Sequence, residues 1–303
     1  MPGANEASVV DLVVQGPDIE TPALKALARL SGAETIVGLP GTTTQAFRLP
    51  HAGNRPAVAA FCDEAGLDFA FLPLDRRLDR VRLVAFDMDS TLITIECIDE
   101  IADLQGIKAE VAAITASAMR GEFDFSESLQ RRVALLAGLP TGALQRVYDE
   151  RLRLSPGAER MLAGFKRAGA RTLLVSGGFA FFTDRLKARL GIDYALASTL
   201  DIVDGRLTGR ITGDIVDGTA KAATFARLRD ELAVGDGLSV AIGDGANDLD
   251  MLNAAGLGVA FNAKPVVREA AHTAVNVPFL DTVLYLLGVT REEVEAADTH
   301  DED

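Results

Sequence analysis

Cysteine is nearly absent from this 303-residue sequence: only Cys62 and Cys97 occur. Two thiols cannot staple a fold, so a hydrophobic core must hold it, and a reducing cytoplasmic setting is expected. Cys97 has no histidine nearby in sequence and reads as a small buried apolar residue rather than a nucleophile. Basic charge is also short, with 30 Lys and Arg against 44 Asp and Glu and a net charge of −14. Without a basic stripe to neutralise phosphates and release counterions, nucleic acid is excluded as a partner. A small molecule or a cation is expected instead. No apolar stretch approaches the roughly 20 residues of a membrane span, and Met1-Pro2-Gly3-Ala4-Asn5-Glu6 lacks the basic and apolar regions of a signal peptide. Neither a long-period repeat nor a low-complexity segment is present.

What is present suffices for two domains, since the length exceeds one comfortable core. Over residues 8–75, strands are expected at Val9 to Val14, Glu34 to Leu39, Ala46 to Pro50 and Phe69 to Leu74, with helices at Thr21 to Leu30 and Pro56 to Ala65. The order βαββαβ is the ferredoxin-like pattern and resembles the ACT-type amino-acid-sensing modules. The resemblance implies a regulatory or dimerisation domain over residues 1–80, with a homodimer as one outcome. A domain used only for packing fits equally. The charged stretch Asp75 to Arg80 is expected to be a linker or to cap the next strand. From residue 81 to 295 the pattern is α/β, with strands at Arg171 to Ser176, Tyr194 to Ser198, Leu238 to Ile242, Leu257 to Phe261 and Ala274 to Val277. Residues from about 97 to 153 are helical in spacing and read as an inserted cap. Gly205-Arg206 and Gly213-Asp214 are expected to turn a small antiparallel insert. The acidic tail, residues 296–303, is expected to fray.

The chemistry begins at Leu83-Val84-Ala85-Phe86-Asp87-Met88-Asp89-Ser90-Thr91-Leu92, where an apolar run ends in two carboxylates spaced by one residue. Such a run is a buried parallel strand whose end opens onto the ligand-binding edge of the sheet. Three further sites are expected at that edge: Ser176-Gly177-Gly178, Lys221 in Asp217-Gly218-Thr219-Ala220-Lys221, and Gly243-Asp244-Gly245-Ala246-Asn247-Asp248. Each alone is a common turn, cap or solvated charge. Their ordered joint occurrence is the signal.

This order resembles the phosphoserine-phosphatase-like branch of the haloacid dehalogenase-like hydrolases, across roughly residues 81–290. The resemblance implies a Rossmann-like parallel sheet with an inserted helical cap. It also implies hydrolysis of phosphoserine to serine and phosphate, the last step of serine biosynthesis. Asp87 would attack phosphorus, and Asp89 would act as general acid and then base. Lys221, Ser176, the Gly177 amide and Asn247 would hold or orient the phosphate, with loop capping the alternative for Asn247. Mg²⁺ would be held by Asp87, the Asp89 carbonyl and Asp244, with Asp248 behind them. The charge agrees: carboxylates 4 Å apart repel by about 4 kcal/mol per pair at an effective dielectric of 20. A calcium loop is excluded because Leu92 stands where glycine is required.

In the cap, Glu96 would meet the substrate ammonium and Arg132 its carboxylate, with Met119 and Phe125 packing over the substrate. Ordinary helix packing is the alternative for Met119 and Phe125, and Arg131 is the alternative to Arg132. Two other functions share the pattern: a phosphotransferase to an alcohol such as homoserine, and a non-catalytic amino-acid sensor.

Overall fold

The computed structural model describes residues 10–39, 44–74 and 76–288. Val9 and the acidic tail lie outside them. The N-terminal unit runs β1 (Val10–Gly16), α1 (Thr21–Ser31), β2 (Val37–Leu39), β3 (Gln45–Leu49), α2 (Arg55–Ala65) and β4 (Asp68–Pro73). Its antiparallel sheet has the order β2-β3-β1-β4, so the βαββαβ expectation matches the observed elements. The second strand is shorter than expected. Glu34 to Ile36 do not pair, and only Val37–Leu39 joins β3.

Side chains alternate along β1. Leu12 and Val14 pack under Leu24 and Leu27 of α1 and Val58 and Cys62 of α2. Val13, with Ala46, Ala70 and Leu72, instead enters the same core as Leu280, Val283 and Leu286 of the larger unit. Both faces of the small sheet are therefore buried. At the sheet edge the Asp68 carboxylate accepts the backbone N–H and side-chain amide of Asn276, both at 2.7 Å, and the Val277 N–H at 3.3 Å. The Thr273 hydroxyl donates to the Phe69 carbonyl at 2.8 Å. Leu78–Arg80 forms one helical turn, and the Leu78 N–H bonds the Leu287 carbonyl at 3.0 Å. The connection is packed against the larger unit rather than looping free.

The larger unit contains β5 (Leu83–Phe86), the cap helices α3 (Cys97–Leu104), α4 (Lys108–Met119), α5 (Phe125–Ala134) and α6 (Gly142–Arg146), then α7 (Ala158–Arg167) and β6 (Arg171–Phe179). It continues through α8 (Ala180–Leu190), β7 (Tyr194–Val203), β8 (Arg206–Thr212), α9 (Gly218–Glu231), β9 (Ser239–Gly243), α10 (Leu249–Ala254), β10 (Leu257–Phe261), α11 (Pro265–Ala270), β11 (Thr273–Val275) and α12 (Val283–Leu286). The sheet order is β11-β10-β9-β5-β6-β7-β8, parallel except for β8.

Strands β5, β9 and β10 are buried along their whole length, as apolar runs covered on both faces must be. Phe165 of α7 and Phe182 of α8 pack on one face; Phe225 of α9 and Met251 of α10 pack on the other. The antiparallel insert is the β7–β8 hairpin. It turns through Asp204 (φ 49°) and Gly205 (φ 73°), the left-handed pair that a two-residue loop between twisted strands demands. Leu129 and Val133 of α5 share a core with Leu207 on β8, which seats the cap.

Candidate active site

β5 lies between β6 and β9, so its carboxyl end opens where neighbouring chain connections diverge to opposite sides. Asp87 is the first residue beyond it and is 7% exposed. The chain then turns tightly: Ser90 takes φ 57°, rare for a residue with a Cβ, and its hydroxyl donates to Glu96 Oε1 at 2.6 Å. Asp89 accepts the Cys97 N–H at 3.1 Å, so the first cap helix and the second carboxylate are tied together. Thr91 is fully buried and donates to Asp244 Oδ1 at 2.8 Å, linking the loop after β5 to the loop after β9.

Beneath these groups lies Lys221, 0% exposed near the start of α9. Its Nζ stands 2.8 Å from both Asp87 Oδ1 and Asp248 Oδ1. The other Asp248 oxygen accepts the Gly245 N–H at 3.0 Å. Burial works against the Lys221 ammonium, but Asp248 and Asp87 outweigh it and raise its pKa. Burial, Asp248 and Asp244 push Asp87 well above the usual carboxylate range, with Lys221 opposing them.

Asp89 is pushed up to about 7, by burial and then by Glu96. Asp244 is also raised to about 7, chiefly by burial, with Asp248 and Glu96 adding to it. Asp87, Asp244 and Asp248 offer carboxylate oxygens within 4.8 Å of one another, an all-oxygen set suited to a hard cation.

A cavity of about 900 Å³ opens over this floor. Asp87, Asp89, Glu96, Met119, Phe125, Arg132, Ser176, Gly177, Asp244 and Asn247 all line it, while Lys221 and Asp248 sit below. Every side chain proposed from the sequence thus gathers at one place. Glycine is required at two points by close approach. A Cβ on Gly177 would stand 2.6 Å from the Phe125 ring, and one on Gly178 would stand 2.6 Å from Asp89 Oδ2.

Ser176 accepts the Gly178 N–H at 2.9 Å. Asn247 lines the cavity, and among the described residues its side chain bonds neither Ser176 nor Lys221. Of the two arginines, one lines the cavity. Arg131 points outward, pairing with Glu127 at 2.6 Å and lying over the Phe123 ring, while Arg132 faces the cavity. Burial lowers the Arg132 pKa, opposed by Asp99, Glu96 and Asp89.

The family model for haloacid dehalogenase-like hydrolases matches residues 84–253. The chain belongs to that family. A model for a domain of unknown function matches residues 12–58, within the N-terminal unit. A phosphoserine phosphatase of Streptomyces coelicolor is 58% identical over 245 residues, covering 81% of this chain and 60% of that protein. This haloacid dehalogenase-like chain therefore spans less than two thirds of that relative's length. The unliganded probable phosphoserine phosphatase of Vibrio cholerae superposes with a TM-score of 0.79 at 34% identity, covering 98% of this chain and 90% of that one. A phospho-aspartyl intermediate analogue of phosphoserine phosphatase superposes with a TM-score of 0.65 at 38% identity, covering 68% of this chain and 99% of that one.

Three features of the site were not singled out from the sequence. Thr91 was visible as the closing residue of Asp-x-Asp-x-Thr, but its bond to Asp244 joins loops 153 residues apart. Asp99 lies one helical turn from Glu96 and adds a carboxylate facing Arg132. Lys264, after β10, also lines the cavity, and no pattern in its neighbourhood marks it.

Proposed function

We propose that the chain is a Mg²⁺-dependent phosphoserine phosphatase, hydrolysing O-phospho-L-serine to L-serine and phosphate. The observation that carries this reading is one cavity with a nucleophile floor and a zwitterion-matching wall. Asp87 stands on Lys221 below, and Glu96 and Arg132 offer one charge of each sign above.

Asp87 attacks phosphorus, forming an acyl phosphate as the P–O bond to serine breaks. Asp89 gives its proton to the departing serine oxygen. Water then attacks phosphorus, Asp89 takes back a proton, the acyl-phosphate P–O bond breaks and Asp87 is regenerated. A carboxyl with a pKa near 7 suits both roles, because it exchanges its proton readily at neutral pH.

Asp87, the Asp89 carbonyl and Asp244 would hold Mg²⁺, with Asp248 behind them holding Lys221. When bound, the ion supplies charge neutralisation for the carboxylates and the phosphate. The burial and mutual repulsion that push Asp87 and Asp244 upward support a cation site here. Ser176, the Gly177 amide, Lys221 and Asn247 hold phosphate oxygens, while Met119 and Phe125 cover the substrate. The catalytic unit is residues 81–295 with the cap at about 97–153, and residues 1–80 are a docked ACT-like regulatory unit. No helix of the described residues is long and apolar enough to cross a membrane, and Cys62 and Cys97 are buried free thiols, which supports a cytoplasmic setting.

The test is phosphate release from phosphoserine, phosphothreonine and p-nitrophenyl phosphate, with and without Mg²⁺, and with homoserine added. Mg²⁺-dependent release that favours phosphoserine is expected. Transfer to homoserine in place of release would make the chain a phosphotransferase, and no turnover of any substrate would leave a sensor.

A further inference from the structure

The cavity is lined by eight carboxylate residues against two cations among the described residues, Arg132 and Lys264. Lys221, fully buried, pairs with Asp87 and Asp248, which still leaves the lining carboxylates in excess. Lys264 is the residue before α11, exposed, with no carboxylate within ion-pair distance among the described residues. Asn262, just past the end of β10 and two residues before Lys264, takes φ 47°.

The polar contact of the Lys264 ammonium is with the cap: Nζ lies 3.7 Å from the sulfur of Met119, the last residue of α4. β10 is separated from β5 by β9, roughly 10 Å at the usual strand spacing. Lys264 therefore stands at the rim, level with the cap, and not on the floor beside Asp87.

We propose that Lys264 is a specificity-determining residue that binds the substrate carboxylate from the core side, while Arg132 binds it from the cap side. The inference rests on the phosphoserine reading above and extends it to a residue no motif contains. An unpaired ammonium in a cavity this acidic attracts the anionic end of a ligand, whereas Glu96 and Asp99 already serve the cationic end. With the carboxylate between them, Lys264 and Arg132 join core to cap while the substrate is inside.

The experiment compares Lys264→Gln and Lys264→Arg with the wild type on phosphoserine, p-nitrophenyl phosphate and phosphoethanolamine. The last keeps phosphate and ammonium but lacks the carboxylate. For Lys264→Gln, kcat/KM on phosphoserine should fall about 10-fold, mainly through KM, the lower end for a charge-assisted contact. The other two substrates should be unchanged, and arginine should restore most of the loss. An equal fall on all three substrates would mean general steering or a folding role, and no fall on phosphoserine would mean no contact. Either result overturns the proposal while leaving the function intact. A wild type that does not prefer phosphoserine to phosphoethanolamine overturns both.

Discussion

Replacing Arg132 by alanine removes the guanidinium that faces the cavity from α5, and with it the cap-side contact to the substrate carboxylate. A charge-assisted hydrogen bond contributes about 1.5–3 kcal/mol, or roughly 10- to 100-fold in specificity. Two features of this site push the loss toward the upper end. Arg132 is largely withdrawn from water, so its attraction for a carboxylate is screened less than that of a surface arginine. It also opposes the upward shift of Glu96, which comes first from burial; without Arg132, Glu96 is a weaker anion for the ammonium. The assay is steady-state kinetics on phosphoserine and p-nitrophenyl phosphate side by side. On phosphoserine, kcat/KM should drop strongly and chiefly through KM, because the carboxylate is held alike in ground and transition states. The aryl phosphate has no carboxylate to lose and should be hydrolysed at nearly the wild-type rate. Equal damage to both substrates would show that Arg132 acts on phosphate or on cap folding, and the case for amino-acid specificity would lose its main support.

Asp244→Ala should weaken Mg²⁺ binding far more than Asp248→Ala, whose two oxygens are already committed to Lys221 and the Gly245 amide; equal affinities by calorimetry would mean the ligands are misassigned. Asp248→Ala should instead lower stability by about 3–5 kcal/mol in denaturant unfolding, since it strands part of a buried ion pair. Burial raises Asp244 to about 7, so Mg²⁺ binding is expected to release protons and to weaken as pH falls through that region. Calorimetry in buffers of different ionisation heat tests this, and a pH-independent affinity would refute it. Asp68→Ala, which leaves the Asn276 and Val277 N–H groups without their acceptor, should cost about 2–4 kcal/mol and speed hydrogen exchange at both amides; unchanged exchange would mean the joint between the units lies elsewhere.

The loops bearing Asp87 and Asp244 were legible because each is a polar break after a fully buried strand, and parallel pairing of β5 with β9 brings both to one edge; Ser176 instead lies within β6 and Lys221 on α9. Arg132 was ambiguous only until the phase of α5 was fixed. The Asp124 cap, whose carboxylate accepts the Glu127 N–H at 2.8 Å, sets that phase, and Asp124-x-x-Glu127 was readable as a helix start. Leu129 and Val133 then face inward, Arg132 sits beside them, and Arg131 falls one turn from Glu127 on the outer face.

The docking of the small sheet also left a trace. Leu12, Val13 and Val14 are consecutive apolar residues, where a strand with one wet face would alternate. What occupies the second face, the α12 region near the far end of the described chain, is a tertiary pairing that no local pattern encodes. Lys264 was invisible for the same reason: its meaning comes from a methionine 145 residues earlier, across the cleft.

Covalent trapping on Asp87 tests the central claim most directly. Acid-quenched enzyme turning over phosphoserine with Mg²⁺, or enzyme treated with beryllium fluoride and examined by crystallography, should carry its adduct on the Asp87 carboxylate. Asp87→Asn should carry none and lose at least about 10³-fold in kcat, roughly 4 kcal/mol of barrier. An adduct on any other residue, or full turnover by Asp87→Asn, would contradict the account.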